Sequence, residues 1–165
     1  MNTPNKLTIL RLCLVPVYLL LLYFFAPPYS YVWALIVFAA ASLTDMLDGH
    51  LARKHNQVTT FGKFLDPLAD KVLVISAFIY FIDVQLAPSA AVIIIIAREF
   101  MVTSLRLVAV SSNGTVIAAG FLGKVKTASQ MVSIVAIMLL ASLQGFGVLW
   151  SFPVRMVSHI LIWIS

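Results

Sequence analysis

Long apolar runs, separated by short polar or turn-forming segments, dominate the chain. Six such runs are present, at approximately 7–25, 31–53, 64–81, 88–108, 127–143 and 148–164. Several approach the ~20 residues that a membrane-spanning helix needs. The runs are continuous, whereas the strands of a membrane barrel alternate between apolar and polar residues. The pattern therefore predicts an all-α integral membrane protein built as a bundle of six transmembrane helices.

Turn-forming residues separate several of these runs. They occur at 26–28, 87–88, 112–114 and 144–147, where proline, glycine, asparagine or serine interrupts the apolar pattern. Neither an internal repeat nor a low-complexity linker is present, so we predict a single domain over 1–165. The first run is too long for a signal peptide and lacks a convincing cleavage site after it, so we interpret it as a retained helix.

Composition supports a location in the cell membrane. Hydrophobic residues make up 62% of the chain and charged residues 10%, and the mean hydropathy is +1.04. Soluble domains carry roughly 25% charged residues, so a soluble protein of this composition could not cover its surface. This excludes a free cytosolic enzyme and a disordered tail. The single cysteine, Cys13, also excludes a secreted scaffold held by internal disulfides.

The basic residues are distributed unevenly between the two membrane faces. If the six helices alternate in direction, one face receives Lys6, Arg11, Arg53, Lys54, Lys63, Lys71, Arg98, Arg106, Lys124 and Lys126. Only Arg155 falls nearer the other face. Positive charge marks the cytoplasmic side, so we expect a multi-pass protein with both termini in the cytoplasm. We attribute the net charge of +5 to topology and contact with anionic membrane lipid, and expect no nucleic-acid partner.

Interfacial side chains are expected at both faces. Arg11, near the start of the first run, can extend its guanidinium to the interface. Tyr29, Tyr31, Tyr80 and Trp150 lie where interfacial aromatic residues of the non-cytoplasmic face would sit, and lipid-facing bulk is an equal alternative for them.

Four of the six acidic residues cluster beside the second and third runs. Asp45 and Asp48 are spaced i, i+3, and Asp66 and Asp70 are spaced i, i+4, so each pair shares one helix face. A short connection makes the two helices antiparallel neighbours, whose carboxylates can converge on a hard divalent cation such as Mg²⁺, Mn²⁺ or Ca²⁺. Solvated helix-end charges are the alternative. The helix dipole would accommodate Asp66 but disfavours Asp45 and Asp48.

Other residues in this segment have less specific interpretations. His50 and His55 flank the cluster and are better read as polar interfacial residues than as ligands. Gly49, Ala52 and Gly62 are small, which suits close helix packing or leaves room for a flat ligand.

The segment 45–70 reads D-x2-D-G-x2-A-R-x8-G-x3-D-x3-D, and it resembles the signature of the CDP-alcohol phosphatidyltransferases at all eight fixed positions. Residues 5–11, 97–100 and 123–127 look like the branch of this family that forms phosphatidylglycerophosphate. The resemblance covers about 2–143 and is weak over the last run. We expect the sequence to stop slightly short of a full-length member.

The resemblance implies a fold and a reaction. Family members are six-helix bundles, usually homodimers, with the active site at the cytoplasmic interface. They use two divalent cations, Mg²⁺ or Mn²⁺. The expected substrates are CDP-diacylglycerol and sn-glycerol 3-phosphate, and the expected products are phosphatidylglycerophosphate and CMP.

The resemblance also assigns roles to individual residues. The expected metal ligands are Asp45, Asp48 and Asp66, with Asp70 as the general base, as a further ligand, or as both. The expected CDP-diacylglycerol site contains Gly49, Ala52, Arg53, Gly62, Thr8 and Arg11. The candidates for the acceptor phosphate are Lys124, Lys126, Arg106 and Arg98. The two lysines precede a helix whose N-terminus attracts anions, whereas Arg98 can instead pair with Glu99 or an aspartate.

Three alternatives to the expected reaction are open: another acceptor, a transporter and a scaffold. The acceptor could be inositol phosphate, serine or phosphatidylglycerol. A divalent-cation transporter would also place carboxylates among six helices, but the acids here cluster at one face and do not line a path. A membrane scaffold without chemistry would not need the cluster.

Overall fold

The computed structural model describes the backbone of residues 3–55, 60–111, 121–149 and 151–165. It describes the side chains of 9–44, 69, 71–105, 108, 123, 125–149 and 151–165. The described backbone forms six helices and no strand, which confirms the predicted all-helical architecture. The helices are α1 (Thr3–Phe24), α2 (Tyr29–His55), α3 (Thr60–Asp83), α4 (Ser89–Ser111), α5 (Phe121–Gly145) and α6 (Val154–Ile164).

The last helix is shorter than its apolar run predicts. Instead of beginning near residue 148, α6 begins at Val154. Residues 146–149 form a turn in which Gly147 has a φ of +78°, a left-handed conformation that glycine adopts without strain. Pro153 stands immediately before α6, where its missing N–H and fixed φ suit a helix start. The turn and the proline therefore set a boundary that hydrophobicity alone does not mark.

The number of membrane crossings stays a prediction. Among the described residues, one helical segment, Val125–Gly145, is long and apolar enough to cross a bilayer. Three shorter apolar helical segments accompany it, at Ile9–Phe24, Tyr29–Thr44 and Val154–Ile164.

Contacts between helix ends show how the bundle is oriented. The end of α1 meets the end of α3, where the Tyr23 hydroxyl donates to Asp83 Oδ2 at 3.4 Å. The start of α2 meets the end of α5, where the rings of Tyr29 and Phe146 lie 5.5 Å apart. These contacts define the opposite end of the bundle, formed by the connections 25–28, 84–88 and 146–153. The other end, formed by the end of α2 and the starts of α3 and α5, we call the motif end.

The core lies between α1, α2, α3 and α5, while α4 packs on α3 and α6. Tyr18 is fully buried, its ring centroid 6.1 Å from that of Phe38 and its hydroxyl 3.9 Å from Met138 Sδ. Small residues such as Ala34 and Ala77 are also fully buried, which lets neighbouring backbones approach closely. This packing holds α2 and α3, the two helices that carry the aspartates, against α1.

Two of the predicted interfacial tyrosines belong to the core instead. Tyr31 and Tyr80 are buried, with ring centroids 6.3 Å apart, so their assignment to the membrane interface was wrong. The Tyr80 hydroxyl donates to the carbonyl of Leu22 at 3.4 Å, and this internal partner makes its burial tolerable. Tyr29 is exposed, as expected, whereas Trp150 lies outside the described residues.

Candidate active site

The four motif aspartates lie on the backbone of two helices at the motif end. Asp45 and Asp48 fall in the last part of α2, and Asp66 and Asp70 in the first half of α3. Unbroken helix at both places keeps each pair on one face, as its spacing predicts. The side chains of these aspartates lie outside the described residues, as do those of Thr8, Ala52 and Arg53, while Gly49 and Gly62 are described only as backbone positions within α2 and α3. Their assigned roles therefore stay predictions.

Arg11 lies inside the bundle. Its exposed fraction is 1%, so the expectation that it extends to the interface was wrong. The reason is the packing of α1, which faces α2 and α3. A buried guanidinium needs compensating negative charge or hydrogen bonds. At the motif end, α2 and α3 carry the four motif aspartates, so this buried positive charge belongs to a helix that packs against the helices bearing them.

Glu99, on α4, is the centre of a charged cluster that joins three helices. Its Oε1 accepts from Arg98 Nη1 at 3.3 Å and forms an ion pair with Lys126 of α5. Its Oε2 lies 3.8 Å from Lys71 Nζ of α3. We call these four residues the Glu99 cluster. Three cationic side chains therefore converge on a single carboxylate.

Lys71 is held by more than this ion pair. Its Nζ donates to the carbonyl of Glu99 at 3.1 Å and hydrogen-bonds with Thr103 Oγ1. The Thr103 hydroxyl lies 2.8 Å from the same carbonyl. Because Lys71 follows Asp70 directly in α3, these contacts place the middle of α4 beside the part of α3 that carries Asp70. The cationic cluster and the last motif aspartate are therefore neighbours in the fold.

The Glu99 cluster is suited to binding an anion. Three cations and one carboxylate leave a formal charge of +2. The Arg98 side chain is 46% exposed and that of Lys126 15%, so the two differ in access to solvent. Arginine offers a planar fork of donors to a phosphate, and lysine offers a compact charge.

The cluster contains both expected and unexpected residues. Arg98 and Lys126 were candidates from the sequence, and the pairing of Arg98 with Glu99 was one of the two possibilities for that arginine. The other two candidates, Arg106 and Lys124, have side chains outside the described residues. The central role of Glu99 and the participation of Lys71 were missed, because no sequence spacing connects α3 with α4 or α5.

The chemistry of the donor atoms indicates which metal ions this end of the bundle could hold. Among the described side chains, no group of three or more histidine, cysteine, aspartate or glutamate residues could hold a metal ion. The motif aspartates lie outside that set. Their carboxylate oxygens fit the ligand preference of Mg²⁺ and Mn²⁺, which take hard oxygen donors.

A cavity at the opposite end of the bundle has a different character. It measures about 520 Å³ and is lined by residues such as Tyr31, Phe152 and Arg155. None of its described lining residues is acidic, so this lining offers no carboxylate ligand for a cation. The motif end is therefore the candidate active site.

The family model for CDP-alcohol phosphatidyltransferase matches residues 1–165. The chain belongs to this family of enzymes.

Individual relatives carry one specific name. A protein of Bacillus subtilis (strain 168) is 45% identical over 151 residues, covering 84% of this chain and 77% of the relative. One of Rickettsia bellii (strain RML369-C) is 39% identical over 168 residues, covering 99% and 87%. One of Yersinia enterocolitica is 36% identical over 177 residues, covering 100% and 87%. Each is named CDP-diacylglycerol--glycerol-3-phosphate 3-phosphatidyltransferase.

Proposed function

We propose that this protein transfers a phosphatidyl group from CDP-diacylglycerol to sn-glycerol 3-phosphate, which yields phosphatidylglycerophosphate and CMP. The observation that carries the proposal is the Glu99 cluster, a convergence of three cations beside the part of α3 that bears Asp70. An acceptor that carries a phosphate needs such a site close to the reacting centre. The names of the relatives support the same acceptor.

On the donor side, Asp45, Asp48 and Asp66 hold two divalent cations, Mg²⁺ or Mn²⁺, and Asp70 is available as a further ligand. When bound, these ions supply neutralisation of the diphosphate charge and of the charge that develops on departing CMP. Carboxylates from two helices would hold the cations in place relative to the bundle, and the cations would attract the diphosphate. Geometry of this kind supplies a large part of the rate in phosphoryl-type transfer.

CDP-diacylglycerol lies along the end of α2. Gly49, Ala52 and Gly62 leave space for the nucleotide, and Arg53 and Thr8 supply polar contacts to it. Arg11 supports this arrangement, since its burial in α1 puts a positive charge within the bundle on the side of α2 and α3.

On the acceptor side, Arg98 and Lys126 bind the phosphate of glycerol 3-phosphate, with Arg106 and Lys124 as further contacts. The positive formal charge of the cluster favours a dianion. With the phosphate fixed, the free 1-hydroxyl of glycerol is directed toward Asp70 of α3.

The reaction exchanges the phosphoanhydride bond of CDP-diacylglycerol for a phosphate ester bond to glycerol. The 1-hydroxyl oxygen attacks the phosphorus that bears diacylglycerol, and the bond from this phosphorus to the bridging oxygen of CMP breaks. CMP leaves with that oxygen and the bonding electrons. Asp70 accepts the hydroxyl proton. An isolated aspartate is a weak base, so the neighbouring carboxylates would have to strengthen the affinity of Asp70 for the proton.

The helix bundle spans the cell membrane, and the motif end faces the cytoplasm. The apolar exposed surface of α4 supports contact with lipid, with Ile93, Ile94, Met101 and Leu105 all exposed. The acyl chains of the substrate stay in the bilayer between helices, so the lipid does not leave the membrane. The enzyme acts as a homodimer.

The proposal is tested with purified protein in detergent or liposomes. CDP-diacylglycerol is supplied with Mg²⁺ or Mn²⁺ and separately with glycerol 3-phosphate, inositol phosphate, serine, phosphatidylglycerol or water alone. We expect CMP release and phosphatidylglycerophosphate, identified by mass spectrometry, with glycerol 3-phosphate. If glycerol 3-phosphate releases no more CMP than water does, the acceptor assignment is wrong. A cation transporter would instead carry metal into the liposomes without releasing CMP.

A further inference from the structure

We propose that Glu99 is a positioning residue for the acceptor: its carboxylate holds Arg98 and Lys126 in the arrangement that receives the phosphate group. This inference rests on the proposed function and concerns a residue that makes no contact with the substrate itself. Its basis is the convergence of Lys71, Arg98 and Lys126 on one side chain.

Mutual repulsion would otherwise separate the three cations. Like charges destabilise one another most where water screens them poorly, as it does near lipid and within a helix bundle. Lys71, Glu99 and Lys126 come from three different helices, so local chain geometry does not force them together. The carboxylate between them offsets the repulsion and gives each cation a defined partner.

Hydrogen-bond capacity divides the three cations into two roles. The Lys71 ammonium has three donors, and its contacts include the Glu99 carbonyl, Thr103 Oγ1 and the nearby Glu99 carboxylate. Lys71 therefore anchors Glu99 to α3. Among the described contacts, Arg98 uses Nη1 and Lys126 uses one ammonium proton on Glu99. A guanidinium has five N–H donors and an ammonium three, so the described contacts leave donors on both residues for a phosphate.

The cluster therefore selects an acceptor that carries a phosphate monoester. Its formal charge of +2 balances a dianionic phosphate, whereas a neutral alcohol gains nothing from it. A bidentate contact from Arg98 would in addition fix the orientation of the phosphate.

The Glu99→Gln variant distinguishes two possible roles of Glu99: positioning the cations, or only reducing the positive charge of the cluster. If Glu99 only reduced the positive charge, its removal would strengthen phosphate binding. If Glu99 positions the cations, its removal lets them separate and weakens binding. We expect the KM for glycerol 3-phosphate to rise about tenfold, a change of roughly 1.4 kcal/mol. The KM for CDP-diacylglycerol and kcat should change by less than about twofold, within ~0.4 kcal/mol.

The matched control is Asp83→Asn. Asp83 is an acid of α3 at the opposite end, where its contact is with the Tyr23 hydroxyl. This variant should keep the wild-type KM for both substrates. Glu99→Asp keeps the charge on a shorter side chain and should give an intermediate KM for glycerol 3-phosphate. If Glu99→Gln does not fold, Glu99→Asp carries the test, and a wild-type KM in it would overturn the proposal.

A second measurement does not depend on the identity of the acceptor. Binding of inorganic phosphate to the full-length protein, followed by ³¹P NMR, should weaken in Glu99→Gln and not in Asp83→Asn. Unchanged or tighter phosphate binding would overturn the positioning role, as would a parallel change in kcat and in both KM values. If the wild-type protein forms no phosphatidylglycerophosphate, the proposed function fails, yet the phosphate measurement still decides the role of Glu99.

Discussion

Glu99 on α4 and Lys126 on α5 form an ion pair, and the carbonyl of Glu99 also accepts a hydrogen bond from Lys71 of α3. The sequence predicts that Lys126 binds the phosphate of the acceptor. The ion pair places Lys126 in a cluster with two further cations, Lys71 and Arg98, which is an arrangement suited to binding an anion.

Replacing Lys126 should affect the acceptor more than the lipid donor. Lys126→Ala removes one charge-assisted hydrogen bond to the phosphate, a contact worth about 1.5–3 kcal/mol. We expect the KM for glycerol 3-phosphate to rise by at least about tenfold, with little change in the KM for CDP-diacylglycerol. Initial rates measured while each substrate is varied in turn would show this. Arg155→Gln removes a positive charge at the opposite end and is the matched control. An equal effect of Lys126→Ala on both KM values would indicate a structural role.

Replacing Asp70 should stop the chemistry and spare donor binding. Asp70→Asn keeps the size of the side chain but removes its ability to accept the hydroxyl proton. General-base catalysis contributes about 10²–10⁴-fold to a rate, so kcat should fall by at least about a hundredfold. Binding of CDP-diacylglycerol, measured by equilibrium titration, should be largely retained. Wild-type turnover in this variant would remove Asp70 from the role of base.

Replacing Asp45 should alter the response to metal. Asp45→Ala removes a carboxylate ligand, so activity should fall and the Mg²⁺ or Mn²⁺ concentration for half-maximal activity should rise. Loss of a contact that merely supports a ligand already weakens metal affinity by about 10–100-fold in other sites, so loss of the ligand itself should shift the midpoint at least as far. Activity titrated against metal concentration measures the shift. A titration curve with the wild-type midpoint would argue against ligation by Asp45.

Stability should depend on a close contact at the opposite end. A Cβ atom on Gly145 would lie 2.7 Å from Pro28 Cβ, so Gly145→Ala forces the α1–α2 connection to shift. Overpacking of this kind costs about 1–3 kcal/mol, and the thermal unfolding midpoint in detergent should fall. Gly123→Ala is the control, because a Cβ there would meet no atom of the described residues within 4 Å. Its midpoint should equal or exceed that of the wild type. A wild-type unfolding midpoint in Gly145→Ala would show that the α1–α2 connection shifts at little cost in stability.

The helical architecture could be predicted because its cause is local. Continuous apolar runs between turn residues are a property of the chain itself, and six helices follow from them. The start of α6 was misjudged because Leu149 continues an apolar run, although Gly147 and Pro153 decide the backbone there. Hydrophobicity reports the environment of a segment, while glycine and proline report its backbone conformation.

The candidate site could be predicted only in part. The aspartate spacings are local, so the sequence carries them, and the backbone keeps both pairs in helix. The Glu99 cluster depends on which helices pack together, and no residue of α4 indicates that Lys71 of α3 lies beside it. The burial of Arg11 and Tyr80 was missed for the same reason, since burial depends on which helix faces pack together.

In the proposed mechanism, carboxylates of α2 and α3 together hold the cations at which CDP-diacylglycerol reacts. Crystals of the protein grown with Mn²⁺ and CDP-diacylglycerol, measured at the manganese absorption edge, are the sharpest test of this arrangement. We expect anomalous density for two ions between Asp45, Asp48 and Asp66, with the diphosphate beside them. Well-ordered aspartates that stand apart, with no anomalous density between them, would show that these carboxylates do not hold the cations.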